Sequence, residues 1–167
     1  GKGTALQGAA VRKTTAYARK LRAKGGPHIA IDAHDQIMNL VRPFDPGEKA
    51  GSHIKTRMAF DALRSGKGSM NDFFEVSTTM GVLFWRAAEI DASLAEIMKH
   101  GCTAMQSCWK RYQSVGKFGF AGPEISDVVA ALDASEAITD ASSPRQLIEA
   151  AHAAARHGQL FREALEP

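Results

Sequence analysis

Residues 69–101 read SMNDFFEVSTTMGVLFWRAAEIDASLAEIMKHG, and this stretch decides the fold. Its apolar residues recur at alternating spacings of three and four, which places them on one stripe of an α-helix. The stripe consists of Phe73, Val76, Met80, Leu83, Ala87, Ile90, Leu94 and Ile97. Phe74, Phe84 and Trp85 lie beside the stripe, so the apolar face is wider than a two-stranded coiled coil needs. Such a wide face favours the interior of a helical bundle.

The stripe does not require one unbroken helix. A single helix over residues 71–99 would be about 44 Å long at ~1.5 Å per residue, which is long for an ordinary domain. Ser93 and Glu96 have the spacing of a capping box that starts a new helix near residue 93. The cations in front of Gly101 are also typical of a helix end. We therefore predict two antiparallel helices with a bend or turn between Glu89 and Gly101, the second of them ending at Gly116.

Helical patterns flank this central pair on both sides. The sequence predicts a short extended piece and a helix within His28–Phe44, and further helices over Glu48–Arg64, from Pro123 to near Thr139, and from Pro144 onward. Proline and glycine clusters separate them, and strand patterns are almost absent. The predicted class is all-α: a helical bundle of five to seven helices around a long central helical pair. Residues 27–167 would form this single all-helical domain.

Residues 1–26 form a basic N-terminal arm, which we call the arm. It contains seven cations and no acidic residue: Lys2, Arg12, Lys13, Arg19, Lys20, Arg22 and Lys24. The rest of the chain, the helical body, has 14 basic residues against 18 acidic ones, a net charge of −4. The arm also has few large apolar residues, so we expect it to order only against a partner. A solvated tail, nucleic-acid phosphates and an acidic protein surface are the three alternatives for this arm.

A second basic segment lies near residue 117. The sequence Lys117-Phe118-Gly119-Phe120 overlaps part of the aromatic signature with which some RNA-binding sheets stack bases. No alternating strands surround it, so the two phenylalanines are predicted to close the end of the bundle instead. Lys110, Arg111 and Lys117 stay candidate phosphate contacts, together with Arg12, Lys13, Arg19, Lys20, Arg22 and Lys24 of the arm.

Catalytic and metal-binding patterns are weak. Gly66-Lys67-Gly68-Ser69 lacks the first glycine of a phosphate-binding loop, so it is interpreted as a helix–helix turn. The densest possible metal groups are His28, Asp32, His34 and Asp35, and His100 with Cys102 and Cys108; neither has zinc-site spacing. The two cysteines are predicted to be free and buried. We therefore predict no enzyme activity, no metal and no cofactor.

Residues Gly116 through Asp127, followed by Leu132-Asp133 and Ala141-Ser142-Ser143-Pro144, resemble small helical proteins of proteobacterial plasmids and prophages. The resemblance extends over roughly the C-terminal 100 residues, from near Met70. Those proteins generally have no assigned activity, so no functional residue carries over. The resemblance implies an accessory protein of a mobile element.

Two functional hypotheses follow. The first is a cytoplasmic protein that associates with nucleic acid without reading its sequence, because the arm would neutralise phosphates. The second is an adaptor or inhibitor that binds another protein through a helix face, either the acidic C-terminal helices or the row of Phe74 and Trp85. The heptad pattern also allows a homodimer. No apolar run approaches the ~18 residues of a membrane span, so no membrane partner is expected.

Overall fold

The computed structural model describes residues 46–165, and it describes side chains from residue 51 to residue 157. Within that range the chain forms five α-helices and no strand: α1 (Pro46–Arg64), α2 (Met70–Ile90), α3 (Ala92–Val115), α4 (Gly122–Asp140) and α5 (Pro144–Leu165). The all-α prediction is confirmed for this part of the chain. The predicted arm and the elements predicted within His28–Phe44 lie outside the described residues. Among the helices described, none combines the length and apolar character that crossing a membrane demands.

Helix α2 is the centre of the fold. Every residue from Val76 to Ala88 is buried, which is more than three full turns. All four other described helices contact α2. This burial explains why the apolar face predicted from Phe74, Phe84 and Trp85 is so wide. A helix that is covered on every side carries apolar residues on every side.

The central pair turns at Asp91, inside the predicted interval. Asp91 has an extended backbone (φ −161°, ψ 136°), and its N–H donates to the carbonyl of Ala87 and so ends α2. Its carboxylate accepts a hydrogen bond from the Ser93 backbone N–H at 3.3 Å and so begins α3. The N-cap is therefore Asp91, two residues before the Ser93 of the predicted capping box. Gly101 is not a helix end but an interior residue of α3.

The turn at Asp91 also interrupts the heptad stripe. The stripe is buried as far as Ala87, but Ile90 and Leu94 are only partly buried and Ile97 is 38% exposed. Because the turn resets the helical phase, α3 presents a different set to the core. That set is Ala95, Met98, Cys102, Met105 and Cys108.

Gly101 lets α3 pack closely between α2 and α4. A Cβ atom placed on Gly101 would lie 2.5 Å from the Cβ of Ala131 and 2.7 Å from the Sδ of Met80. Both neighbours are buried and belong to the two flanking helices. A side chain at position 101 would therefore force the helices apart.

The loops at one end of the bundle, residues 65–69 and 116–121, lie against each other, and we call this region the loop end. Phe118 is buried there and stacks on Tyr112 with ring centroids 4.2 Å apart. Phe120 packs on Phe60 of α1 at 5.5 Å. The prediction that these two phenylalanines close the end of the bundle is confirmed.

Helix α5 packs against α2. Leu147 lines the same cavity as Leu83, while His157 stacks on Trp85 with ring centroids 4.6 Å apart. The start of α5 agrees with the prediction, since Ser143 caps the N–H of Gln146 at 3.2 Å and Pro144 is the first helical residue.

The close approach at Gly101 gives a test of the packing. We expect Gly101→Ala to lower the free energy of unfolding by about 1–3 kcal/mol through overpacking. The matched control is Gly51→Ala in α1, where an added Cβ meets nothing within 4 Å. There the gain in helix propensity should stabilise the protein by about 0.5–1 kcal/mol. Urea denaturation followed by circular dichroism measures both, and equal effects of the two substitutions would contradict the packing described.

Candidate functional site

The predicted phosphate contacts divide into two groups in the structure. Six of them lie outside the described residues: Arg12, Lys13, Arg19, Lys20, Arg22 and Lys24. The remaining three, Lys110, Arg111 and Lys117, lie at the C-terminal part of α3 and in the loop that follows it.

Arg111 is held by internal partners. Its Nη1 donates to the carbonyl of Gly119 at 2.6 Å and to Oε1 of Glu124 at 3.1 Å. The same Glu124 carboxylate accepts the Ala121 backbone N–H at 2.7 Å at the start of α4. Arg111 therefore fixes the loop between α3 and α4, and its guanidinium already has a carboxylate to neutralise it.

Lys110 and Lys117 are exposed, and neither forms an ion pair with a residue in the described range. The Lys117 side chain lies across the loop of residues 65–69. A Cβ atom added to Gly66 would be 2.7 Å from the Cε of Lys117. Gly66 has a φ of +79°, a conformation that favours glycine. Lys67, the next residue, is also exposed and without an ion pair among the described side chains. The structure thus places the Lys117 side chain over Gly66, the residue before Lys67. The sequence analysis missed this proximity because 51 positions separate Gly66 and Lys117.

Phe118 is not available to stack bases. Its ring is 4% exposed, and it lies between Tyr112 and Phe73, with the Phe73 centroid at 5.3 Å. The aromatic signature around residue 118 is therefore part of the core, and the cations near it are the features that remain exposed.

The acidic face of α4 is partly occupied by α1. Arg57 donates from Nε to Glu136 at 2.9 Å and from Nη2 to Asp133. The bond to Glu136, more than the one to Asp133, holds the pKa of Arg57 above its usual value. His53 contacts Asp140 at 3.3 Å one turn further along. These carboxylates, predicted as a contact surface for another protein, already have intramolecular partners.

A small cavity with a mixed polar and apolar lining lies beneath these contacts, between α1, α2, α4 and α5. It is lined by Ser52, His53, Thr56, Thr79, Leu83, Leu132, Ser135, Glu136, Thr139 and Leu147. Its volume is about 30 Å³, which is room for roughly two water molecules at ~10–15 Å³ each. Ligand pockets are usually ten times larger, at ~300 Å³ or more. The lining hydroxyls and the cavity size fit bound water rather than a metabolite.

Arg86 is the most deeply buried cation among the described residues, at 2% exposure. Its Nε donates to Oγ of Ser142 at 2.9 Å, and Ser142 donates in turn to the carbonyl of Ile138 at 2.6 Å. Burial lowers the pKa of Arg86, while the Glu89 and Glu149 carboxylates partly oppose that shift. The side chain ties α2 to the turn between α4 and α5. In the sequence, the signal for this contact is that Arg86 is the one charged residue in the apolar run of residues 82–88.

Trp85 is 3% exposed, so the row of Phe74 and Trp85 is not a free contact surface. The large apolar side chains that are exposed in the described range are Ile54, Met58, Ile97 and Val115. Ile54 and Met58, at 59% and 66%, are four residues apart and share one side of α1.

Cys102 and Cys108 are free and buried, as predicted, and burial raises the pKa of both thiols. His100 is exposed, so it does not share their environment. Across the described part of the chain, no cluster of three or more His, Cys, Asp or Glu side chains has the geometry to hold a metal ion. The group of His28, Asp32, His34 and Asp35 lies outside that part.

Comparison with known proteins gives no match to a family model, to a curated protein or to a solved structure. The resemblance to plasmid and prophage proteins therefore stays a prediction. The function has to be argued from the charges and contacts of this chain.

The Arg86–Ser142 contact predicts a coupled effect on stability. Ser142→Ala should lower the free energy of unfolding by about 1–3 kcal/mol, because it leaves a buried guanidinium N–H without an acceptor. In an Arg86→Met background the same substitution should cost clearly less, since that donor is gone. A double-mutant cycle by urea denaturation measures the difference. Equal costs in the two backgrounds would show that Ser142 acts independently of Arg86.

The buried thiols predict a reactivity that depends on unfolding. Ellman's reagent should react with neither Cys102 nor Cys108 in the native protein at neutral pH, since a raised pKa and burial leave almost no accessible thiolate. Moving to mildly alkaline pH should change this little, because the folded pKa values lie above the ordinary one. After unfolding in guanidinium chloride both thiols should react. Rapid reaction of the native protein would contradict the burial.

Proposed function

We propose that this protein is a non-enzymatic accessory protein of a mobile element that associates with nucleic acid through its basic arm. It would act in the cytoplasm without a cofactor and contact phosphates rather than base edges. The observation that carries the proposal is the segregation of charge along the chain. The arm holds a third of the basic residues and no acidic residue, while the helical body has a net charge of −4.

This segregation favours a polyanionic partner for the arm. Phosphate contacts by lysine and arginine release condensed counterions, which supplies most of the affinity in sequence-independent binding. A net negative body repels nucleic acid, so a protein with this charge distribution would bind in one orientation, with the arm towards the duplex.

The arginines of the helical body support this segregation of charge between the arm and the body. Five of them already have intramolecular acceptors: Arg57, Arg64, Arg86, Arg111 and Arg145. They contribute to the fold and add little uncompensated charge to the surface. Six arm residues, Arg12, Lys13, Arg19, Lys20, Arg22 and Lys24, are therefore the proposed principal phosphate contacts.

An adaptor or inhibitor that binds another protein is the second candidate function. The exposed apolar pair of Ile54 and Met58 favours it, because residues four apart lie on the same side of α1. A homodimer through this face belongs to the same candidate. Sedimentation at two protein concentrations separates a dimer from a monomer, and Met58→Glu should abolish any dimer formed through α1.

The arm predicts a steep dependence of binding on salt. With six phosphate contacts, the logarithm of the affinity for duplex DNA should fall against the logarithm of the salt concentration with a slope near −5, at ~0.9 per contact. The measurement is a fluorescence anisotropy titration of a mixed-sequence duplex between about 50 and 200 mM salt. Replacing the six arm residues by Gln should remove most of that slope.

The control for this experiment is Lys99→Gln, which removes one exposed cation from the outer side of α3. It should leave the slope unchanged, whereas a lost phosphate contact would reduce its magnitude by about 0.9. The proposal would be contradicted if the arm variant bound DNA as tightly as the parent, or if the parent did not bind DNA at low salt.

A further inference from the structure

We propose that the loop end of the bundle is a second contact for the phosphodiester backbone, centred on Lys67 and Lys117. This inference rests on the proposed association with nucleic acid and names a surface of the helical body that takes part in it. Lys110, on the last turns of α3, would extend the same surface.

The geometry of the two loops supports the proposal. The Lys117 side chain lies over Gly66, where an added Cβ would be 2.7 Å from its Cε and 3.1 Å from its Nζ. Lys67 follows Gly66 directly, and its backbone N–H bonds to the carbonyl of Ala62 at 2.9 Å. The backbone near both lysines is therefore fixed by the fold, which places two ammonium groups on neighbouring loops.

The acidic residues of the loop end are already engaged. Asp61 pairs with Arg64, and Glu124 pairs with Arg111. Asp72 accepts the backbone N–H and the hydroxyl of Ser69 at the start of α2. Asp61 and Glu124 are thus neutralised by arginine, and Asp72 keeps its charge within a helix cap, whereas Lys67, Lys110 and Lys117 have no carboxylate within ion-pair distance among the described side chains. The surplus charge at this end is positive.

The opposite end of the bundle has no comparable surplus of unpaired cations among the described side chains. Asp91, Asp140 and Glu149 are exposed there, and the last two contact His53 and Arg145. The one arginine that faces this region from α2, Arg86, is buried. A body with such a charge distribution would approach a polyanion with its loop end first.

The chemistry of the surface favours phosphates over a protein partner. Protein interfaces usually centre on exposed aromatic or arginine anchors. Here the aromatic rings are packed inside, and Arg64 and Arg111 are paired with acids. Val115, at 69% exposure, is the one large apolar side chain that the described part exposes beside these loops. Lysine ammonium groups without an apolar centre suit evenly spaced phosphates.

The surface is tested with the full chain and a labelled mixed-sequence DNA duplex in an anisotropy titration across salt. The variant is Lys67→Gln with Lys117→Gln. If each lysine contacts one phosphate, the variant should reduce the magnitude of the salt slope by about 1.8, so that the ratio of parent to variant affinity rises about twelvefold between 200 and 50 mM salt. The matched control is Lys99→Gln with Arg156→Gln, which removes two exposed cations away from the loop end and should change neither quantity appreciably.

Three outcomes separate this inference from the proposed function. If the arm variant loses binding while the loop-end variant matches the control, the inference is wrong and the proposed function stands. If no variant and not even the parent chain binds DNA at low salt, both are wrong. If poly-L-glutamate competes as well as unlabelled duplex at equal charge, the surface recognises acidic protein and the phosphate proposal is overturned. Unchanged melting temperatures would show that the substitutions act on binding and not on folding.

Discussion

The burial of α2 is the constraint on which the rest of the structure depends. A helix whose residues from Val76 to Ala88 are all buried cannot lie at a surface, so the chain must supply neighbours on every side. Helix α3, its antiparallel partner in the central pair, covers only part of its circumference. The remaining sides are covered by α1, α4 and α5, all of which contact α2.

Much of this architecture follows from local patterns. Helix α1 was predicted from Glu48 and begins at Pro46, and the start of α5 at Pro144 agrees with the prediction because a serine cap followed by proline specifies one local geometry. Local patterns determined the position of the turn between α2 and α3 less closely. Asp91 and Ser93 are both good N-caps by residue type, and local sequence does not decide between them, whereas the structure has Asp91 as the cap.

The contacts of the candidate site were harder to predict for a different reason. The pairs Arg111–Glu124, Arg86–Ser142 and Gly66–Lys117 join residues 13, 56 and 51 positions apart, and no local periodicity reports such distances. The sequence identified Arg111 as a candidate because it is basic, but its partners depend on how the loop after α3 folds back. Composition identifies the cations of a chain, whereas tertiary structure decides which of them remain uncompensated.

The division between arginine and lysine in the helical body has a physical basis. A guanidinium carries five donors in a planar fork, so one side chain can satisfy several acceptors at once, as Arg111 does with Gly119 and Glu124. An ammonium group is compact and strongly hydrated, and holding it against a carboxylate at the surface gains little. The hydrogen-bonded links between elements are made by Arg57, Arg86 and Arg111, and lysine adds the longer Lys55–Glu75 pair at 3.7 Å. Lys67, Lys110 and Lys117 form no ion pair among the described side chains, so their charge is available to the solvent. A surface made in this way has no geometric preference among phosphates, which is why the proposed association would be independent of base sequence.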